Sequence, residues 1–163
     1  MLQKKVCMLG AFSVGKTSLV RRYGSSIFED KYLTTIGVKI DKKVVQSADA
    51  ETTLMLWDIA VEDAYHSIKP SHLRGASGCI IVIDGTRPNT LEVARDIRKM
   101  ALDSVGDMPL FAALNKSDLK DQWLIGESEI SQLASEMTLI ETSAKTGLNV
   151  EEMFSQLTEA MLR

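Results

Sequence analysis

Short apolar runs alternate along the chain with longer stretches in which apolar residues recur every three or four positions. The run Val6-Cys7-Met8-Leu9 stops at Gly10, and Cys79-Ile80-Ile81-Val82-Ile83 stops at Asp84-Gly85. Unbroken apolarity over four or five residues, bounded by turn formers, predicts strands buried on both faces, as in a parallel sheet. Leu110-Phe111-Ala112-Ala113-Leu114, opening after Pro109, predicts a third such strand, and Met137-Thr138-Leu139-Ile140 a weaker fourth ahead of Glu141. Residues 37–47 and 52–58 carry a different β signal. Only Ala48-Asp49-Ala50-Glu51 separates them, too short a link for a helical crossover, so an antiparallel hairpin is expected.

Helical periodicity fills the gaps, over 15–23, 63–73, 89–104, 127–136 and 149–162. In the last of these Val150, Met153, Phe154, Leu157 and Met161 fall on one stripe, while Glu151, Glu152, Gln156 and Glu159 take the other side. Over 89–104, Leu91, Ala94, Ile97 and Ala101 form the face to be buried, with Asn89 placed as N-cap after Pro88. The alternation defines an α/β three-layer sandwich: a six-stranded, mostly parallel sheet with one antiparallel strand, and five helices.

Composition narrows the class. The chain has 163 residues, 45% of them hydrophobic and 25% charged, the length and balance of one globular domain spanning 1–163. A net charge of −3 with scattered lysines and arginines leaves no broad basic face. Nucleic acid is therefore not an expected partner, and any anion site must be local. Cys7 and Cys79 stand far apart in apolar runs, which reads as two reduced core thiols rather than a staple or a metal pair. No run approaches the roughly 18 apolar residues of a membrane span. The start lacks a hydrophobic signal stretch, the end lacks a cysteine box, and position 2 is Leu2 rather than a myristoylatable glycine. The expectation is a cytoplasmic monomer with no intrinsic membrane anchor.

Between the first strand and the first helix stands Gly10-Ala11-Phe12-Ser13-Val14-Gly15-Lys16-Thr17, which fits the P-loop pattern G-x-x-x-x-G-K-[ST]. A loop that wraps a phosphate must turn its backbone N–H groups inward, and glycines permit the dihedrals and the close approach. The helix that follows points its positive end at the anion; the Lys16 ammonium reaches the outer phosphates and the Thr17 hydroxyl takes Mg²⁺. Ser13, Val14, Gly15, Lys16, Thr17 and Ser18 are the expected phosphate-side contacts of what is then a P-loop NTPase.

Two later clusters choose the base. Asn115-Lys116-Ser117-Asp118 follows the third parallel strand at the carboxyl edge of the sheet, where open α/β folds bind ligands. The Asp118 carboxylate can accept two hydrogen bonds, matching the neighbouring N1–H and 2-amino donors of guanine; adenine has no such pair. Glu141-Thr142-Ser143-Ala144-Lys145 follows the last strand at the same edge, so its N–H groups, from Ser143, Ala144 and Lys145, can meet the base oxygen.

In order and spacing these residues, with Thr35 and Trp57-Asp58, resemble the Ras-like small GTPases over almost the whole chain. The resemblance implies GDP or GTP with Mg²⁺ as ligands, two conformations, and partner proteins of the effector, exchange-factor or GTPase-activating kind. It implies that Phe28 packs across one guanine face and the Lys116 stem along the other, and that Ala144 supplies a backbone donor. Thr35, with Thr34 as fallback, matches the switch threonine that closes on Mg²⁺ and the γ-phosphate; Asp58 matches the aspartate of the Mg²⁺ site, giving Thr17, Thr35 and Asp58 as metal residues.

The chain departs from the family after Asp58, where D-x-x-G-Q is replaced by Asp58-Ile59-Ala60-Val61-Glu62. Val61 keeps a backbone donor but is β-branched and stiff where the family uses glycine. Glu62 stands where a glutamine orients the attacking water, and when ionised it adds negative charge beside an anionic phosphate. The catalytic groups implied are thus Lys16, Thr35 and Glu62, with hydrolysis slow. Phe12, beside the γ-phosphate position, either obstructs an arginine offered by an activating protein or packs under the second switch. His66 and His72 are expected as exposed switch residues. A slow GDP/GTP switch leads; a non-catalytic module holding GDP or GTP as a structural ligand is the alternative, and Asp118 disfavours an ATP-using enzyme. Val61→Gly combined with Glu62→Gln is expected to raise GTP hydrolysis, measured as single-turnover phosphate release; an unchanged rate means that neither departure limits catalysis.

Overall fold

The computed structural model describes residues 2–24, 38–47, 50–59 and 68–163. Six strands, β1 (Leu2–Gly10), β2 (Val38–Gln46), β3 (Glu51–Ile59), β4 (Gly78–Asp84), β5 (Leu110–Asn115) and β6 (Thr138–Glu141), form one sheet in the order β2-β3-β1-β4-β5-β6. β2 and β3 pair antiparallel, Val38 opposite Ile59 through Gln46 opposite Glu51, and every other pairing is parallel. The α/β fold with a single antiparallel strand is therefore the one the hydrophobic pattern predicts.

Among the described residues there are four α-helices: α1 (Lys16–Gly24), α2 (Asn89–Val105), α3 (Glu127–Glu136) and α4 (Val150–Leu162). The period-2 alternation of the central strands sorts side chains between two cores. Val6 and Met8 of β1 and Ile80 and Val82 of β4 pack with Leu19, Val20 and Tyr23 of α1 and with the α4 stripe. Cys7, Leu9, Cys79, Ile81 and Ile83 face the other way, against Leu91, Ala94 and Ile97 of α2 and Leu133 of α3. The predicted stripe of α4 is buried throughout, Val150, Met153, Phe154, Leu157 and Met161 included.

Three local expectations are corrected, and a fourth, for the two cysteines, is met. The helix expected over 63–73 lies outside the described residues up to 67, and its described end, Pro70–Leu73, is a 3-10 turn; proline has no N–H to continue an α-helical ladder. Asn89 is the first helical residue and makes no capping bond; Pro88 holds the cap position. Thr90 does the stitching instead, donating from Oγ1 to Arg87 O at 2.7 Å and accepting from the Asp84 N–H at 3.0 Å. Cys7 and Cys79 are free and buried, as expected, yet they are direct neighbours in the β1–β4 register. His72 is half-buried, its Nδ1 accepting the Lys69 N–H at 3.2 Å, and burial with Lys69 and Lys5 nearby pushes its pKa down.

What the fold does for the site is a matter of polarity. β1, β3, β4, β5 and β6 all run the same way, so Gly10, Asp58, Asp84, Asn115 and Glu141 end on one edge. The chain leaves β1 toward β2 and β3 on one side and returns through β4 on the other, which opens the crevice used by ligands in such sheets beside the loop after β1. Phe154, fully buried, anchors α4 under this arrangement by stacking on Tyr23 of α1 with ring centroids 4.0 Å apart. Phe154→Ala is expected to lower stability by about 3–5 kcal/mol through lost transfer energy and a cavity, read as a shift in the urea midpoint at unchanged slope; a loss under ~1 kcal/mol would show that the stack is not an anchor of the core.

Candidate functional site

The loop after β1 is shaped by side chains as much as by its glycines. Gly10 has φ 143, and a Cβ there would lie 2.6 Å from Val82 O of β4. Gly15 has φ 110, and a Cβ there would collide with the side-chain amide nitrogen of Asn115. Between them Ser13 sits at φ 62, a left-handed conformation costing a residue with a Cβ on the order of 1 kcal/mol. The Lys16 side chain folds into the loop, donating from Nζ to Ala11 O at 2.9 Å and Gly10 O at 3.2 Å. Lys16 is buried, and burial lowers its pKa to about 8, with Asp58 pulling it up and Arg87 pushing it down. A cation with little water around it, ringed by backbone, is a receptor for anionic oxygen.

Thr17, at the start of α1, donates from Oγ1 to Asp58 Oδ2 at 2.5 Å. This brings together two of the three residues assigned to the metal. A hydroxyl and a carboxylate are the hard oxygen donors Mg²⁺ takes, and a Mg²⁺ that completes its shell with water and phosphate oxygens needs few protein ligands. The donor set thus fits a magnesium ion shared with a polyphosphate.

The second half of the site is assembled around Asn115. Its Nδ2 donates to Val14 O at 3.0 Å, while its Oδ1 accepts from Thr142 Oγ1 at 3.1 Å and from the Ala144 N–H at 3.3 Å. Asn115 therefore braces loop against loop. The Ala144 N–H, expected to serve the base oxygen, is directed here at Asn115 over a long bond. Asp118 Oδ1 accepts from Ser143 Oγ at 2.7 Å; a carboxylate retains further lone pairs for other donors. Lys116 is left-handed at φ 69, with its carbonyl tied to Trp123 Nε1 at 2.9 Å and its Nζ 3.3 Å from Ser13 O.

These residues enclose a cavity of 360 Å³ lined by Gly15, Ser18, Asn115, Lys116, Asp118, Leu119, Ala144 and Lys145. All but Leu119 were singled out from the sequence, although the apolar position directly after Asp118 is the signal for it. A larger groove of 750 Å³ lies beside the β2–β3 hairpin, lined by Tyr23, Val45 and one side of α4, and contains none of the motif residues. We assign the chemistry to the smaller cavity because the convergent polar groups are there.

Sequence reasoning missed the end of β4. Asp84 is fully buried, its Oδ1 accepting from the Thr86 N–H at 2.8 Å and Thr86 Oγ1 at 2.7 Å. Its Oδ2 is paired with Lys116 Nζ at 2.8 Å and Arg87 Nη1 at 3.8 Å. Burial alone would raise this carboxyl; the bonds from Lys116 and Thr86 outweigh it and hold the pKa below the ordinary value. An acidic residue closing an apolar strand at the ligand edge was the available signal. Phe12 is 57% exposed at the mouth of the loop. Phe28, Thr34, Thr35, Val61, Glu62 and His66 lie outside the described residues.

Comparison with known proteins agrees with this arrangement. The sequence profile of the Ras family matches residues 5–163. The Ras-related protein Rab-7L1 of Rattus norvegicus and that of Mus musculus are each 35% identical to this chain over 167 aligned positions, covering 97% of it and 81% of the relative. The chain belongs to the Ras family of small GTPases.

Proposed function

We propose that the chain is a GDP/GTP switch, one domain over 1–163, that binds guanine nucleotide with Mg²⁺, hydrolyses GTP slowly and acts as a cytoplasmic monomer through proteins that read its state. The observation that carries the reading is the join between the two half-sites: one buried amide, Asn115, ties the phosphate loop to the loop of Ala144 around a 360 Å³ cavity. A phosphate cradle joined to a cavity bearing Asp118 suits a ligand with both a polyphosphate and a base that offers paired donors.

In this reading Ser13, Val14, Gly15, Lys16, Thr17 and Ser18 hold the phosphates, Asn115 and Lys116 hold the base-side walls, and Asp118, Ser143, Ala144 and Lys145 meet the guanine. Thr17 and Asp58 hold Mg²⁺, joined by Thr35, and Phe28 covers the base. When bound, Mg²⁺ neutralises charge on the phosphate oxygens. Lys16 opposes the same charge from within the loop. Glu62 is the weak element, because a carboxylate orients water less well beside an anion than a neutral amide does. Phe12, exposed at the mouth of the loop, either obstructs an activating protein's arginine or packs under the second switch, whose residues lie outside those described. A chain that holds GDP or GTP without turning it over is favoured only by Val61 and Glu62; single-turnover phosphate release separates it from the switch.

Nucleotide extracted from the purified full chain is expected to be GDP or GTP by chromatography, and recovery of adenine nucleotide alone would overturn the reading. Asp118→Ala is expected to lower guanine-nucleotide affinity at least tenfold, the loss of a charge-assisted pair of bonds, with the preference for guanine over adenine reduced in parallel.

Lys16 adds a pH dependence. Its pKa is near 8 without ligand, and phosphate charge raises it, so binding takes up a proton wherever the free protein has lost one. Below about pH 7 the ammonium is already formed and uptake vanishes; at pH 8 it amounts to about half a proton. Calorimetry of GDP binding in buffers of differing ionisation enthalpy measures this, and equal proton counts at pH 7 and pH 8 would rule it out.

A further inference from the structure

Ser13 places a side chain at the left-handed position of the phosphate loop, where glycine would meet no steric objection. Both carbonyls flanking its Cα are held from outside. Phe12 O accepts from Arg87 Nη1 at 2.8 Å, and Ser13 O accepts from Lys116 Nζ at 3.3 Å. The two cations share one counter-ion, the buried Asp84 carboxylate, at 3.8 Å and 2.8 Å. Asp84 is itself fixed at the end of β4 by Thr86 and by the bond from its N–H to Thr90 Oγ1. Lys116 belongs to the base-side motif already described; Arg87 belongs to no motif.

We propose that Arg87 is a positioning residue for nucleotide retention: anchored on Asp84 and bonded to Phe12 O, it holds the strained Ser13 turn of the phosphate loop in its phosphate-cradling shape. The inference rests on the guanine-nucleotide reading above. With both carbonyls drawn outward by cations, the N–H groups of the same peptides stay turned to the interior. Without Arg87 the loop populates that shape for a smaller fraction of time, and apparent affinity falls by that fraction. The loss should appear mainly as faster release, the usual place for affinity changes within one site. Arg87 touches no part of the cavity around Asp118, so preference for guanine over adenine should not change.

The test is release of a fluorescent GDP analogue from the full chain with Mg²⁺, for wild type, Arg87→Ala, Ser13→Gly and the double variant. Arg87→Ala is expected to release nucleotide roughly tenfold faster, the equivalent of one charge-assisted bond. In the Ser13→Gly background, where the strain is gone, the same change should cost under about threefold, a coupling that a general loss of fold stability would not produce. Arg87→Lys, which keeps a cation, should restore part of the retention. Arg87→Met keeps the stem and serves as second variant should Arg87→Ala fold poorly. Release within twofold of wild type for both neutral variants, or an equal factor with Ser13 and Gly at position 13, would overturn the proposal. A wild-type chain that holds no guanine nucleotide would fail the functional reading first and this inference with it.

Discussion

One buried side-chain amide holds the two halves of the site in register. Asn115 ends β5, spends both ends of its amide on neighbouring loops, and lies close enough to the phosphate loop that position 15 admits no Cβ. A group 2% exposed has no water to fall back on, so each unmade bond would cost about 1–3 kcal/mol. The loops therefore stay where Asn115 puts them. The parallel sheet makes this possible by bringing five strand ends to one edge, and the two apolar cores on either side of the sheet hold those ends still.

The charge distribution follows the same economy of parts. The chain is mildly acidic, yet the edge that receives the proposed ligand collects Lys16, Lys116 and Arg87 around two carboxylates, Asp58 and Asp84, the buried ones among the described residues. The proposed anion site thus draws on cations placed locally within a chain of net charge −3, without requiring a broadly basic face.

Legibility in the sequence tracked how local each signal was. Apolar runs such as 79–83 revealed central strands because burial on both faces leaves no polar position to confuse the pattern, and the α4 stripe was visible for the same reason at helical period. The residues lining the small cavity were visible because short motifs sit directly after strands. What stayed hidden depends on contacts between distant segments: Cys7 beside Cys79, Arg87 on the phosphate loop, and Thr90 in place of Asn89 as the stitch at the start of α2. Pro70 was a local signal masked by helical periodicity: it opens a 3-10 turn over Pro70–Leu73, where an α-helix was expected. Spacing alone does not carry register, and register decides which side chains meet.

The separation between Val14 and Asn115, 101 positions along the chain, has a consequence for synthesis. The phosphate loop leaves the ribosome well before its braces, Arg87, Asn115 and the residues around Thr142, which lie far downstream in the chain. Parallel strands joined by crossovers close large loops before their contacts form, which slows folding and leaves early segments uncovered. A nascent chain that stops short of Asn115 therefore has the motif without the brace that shapes the cradle.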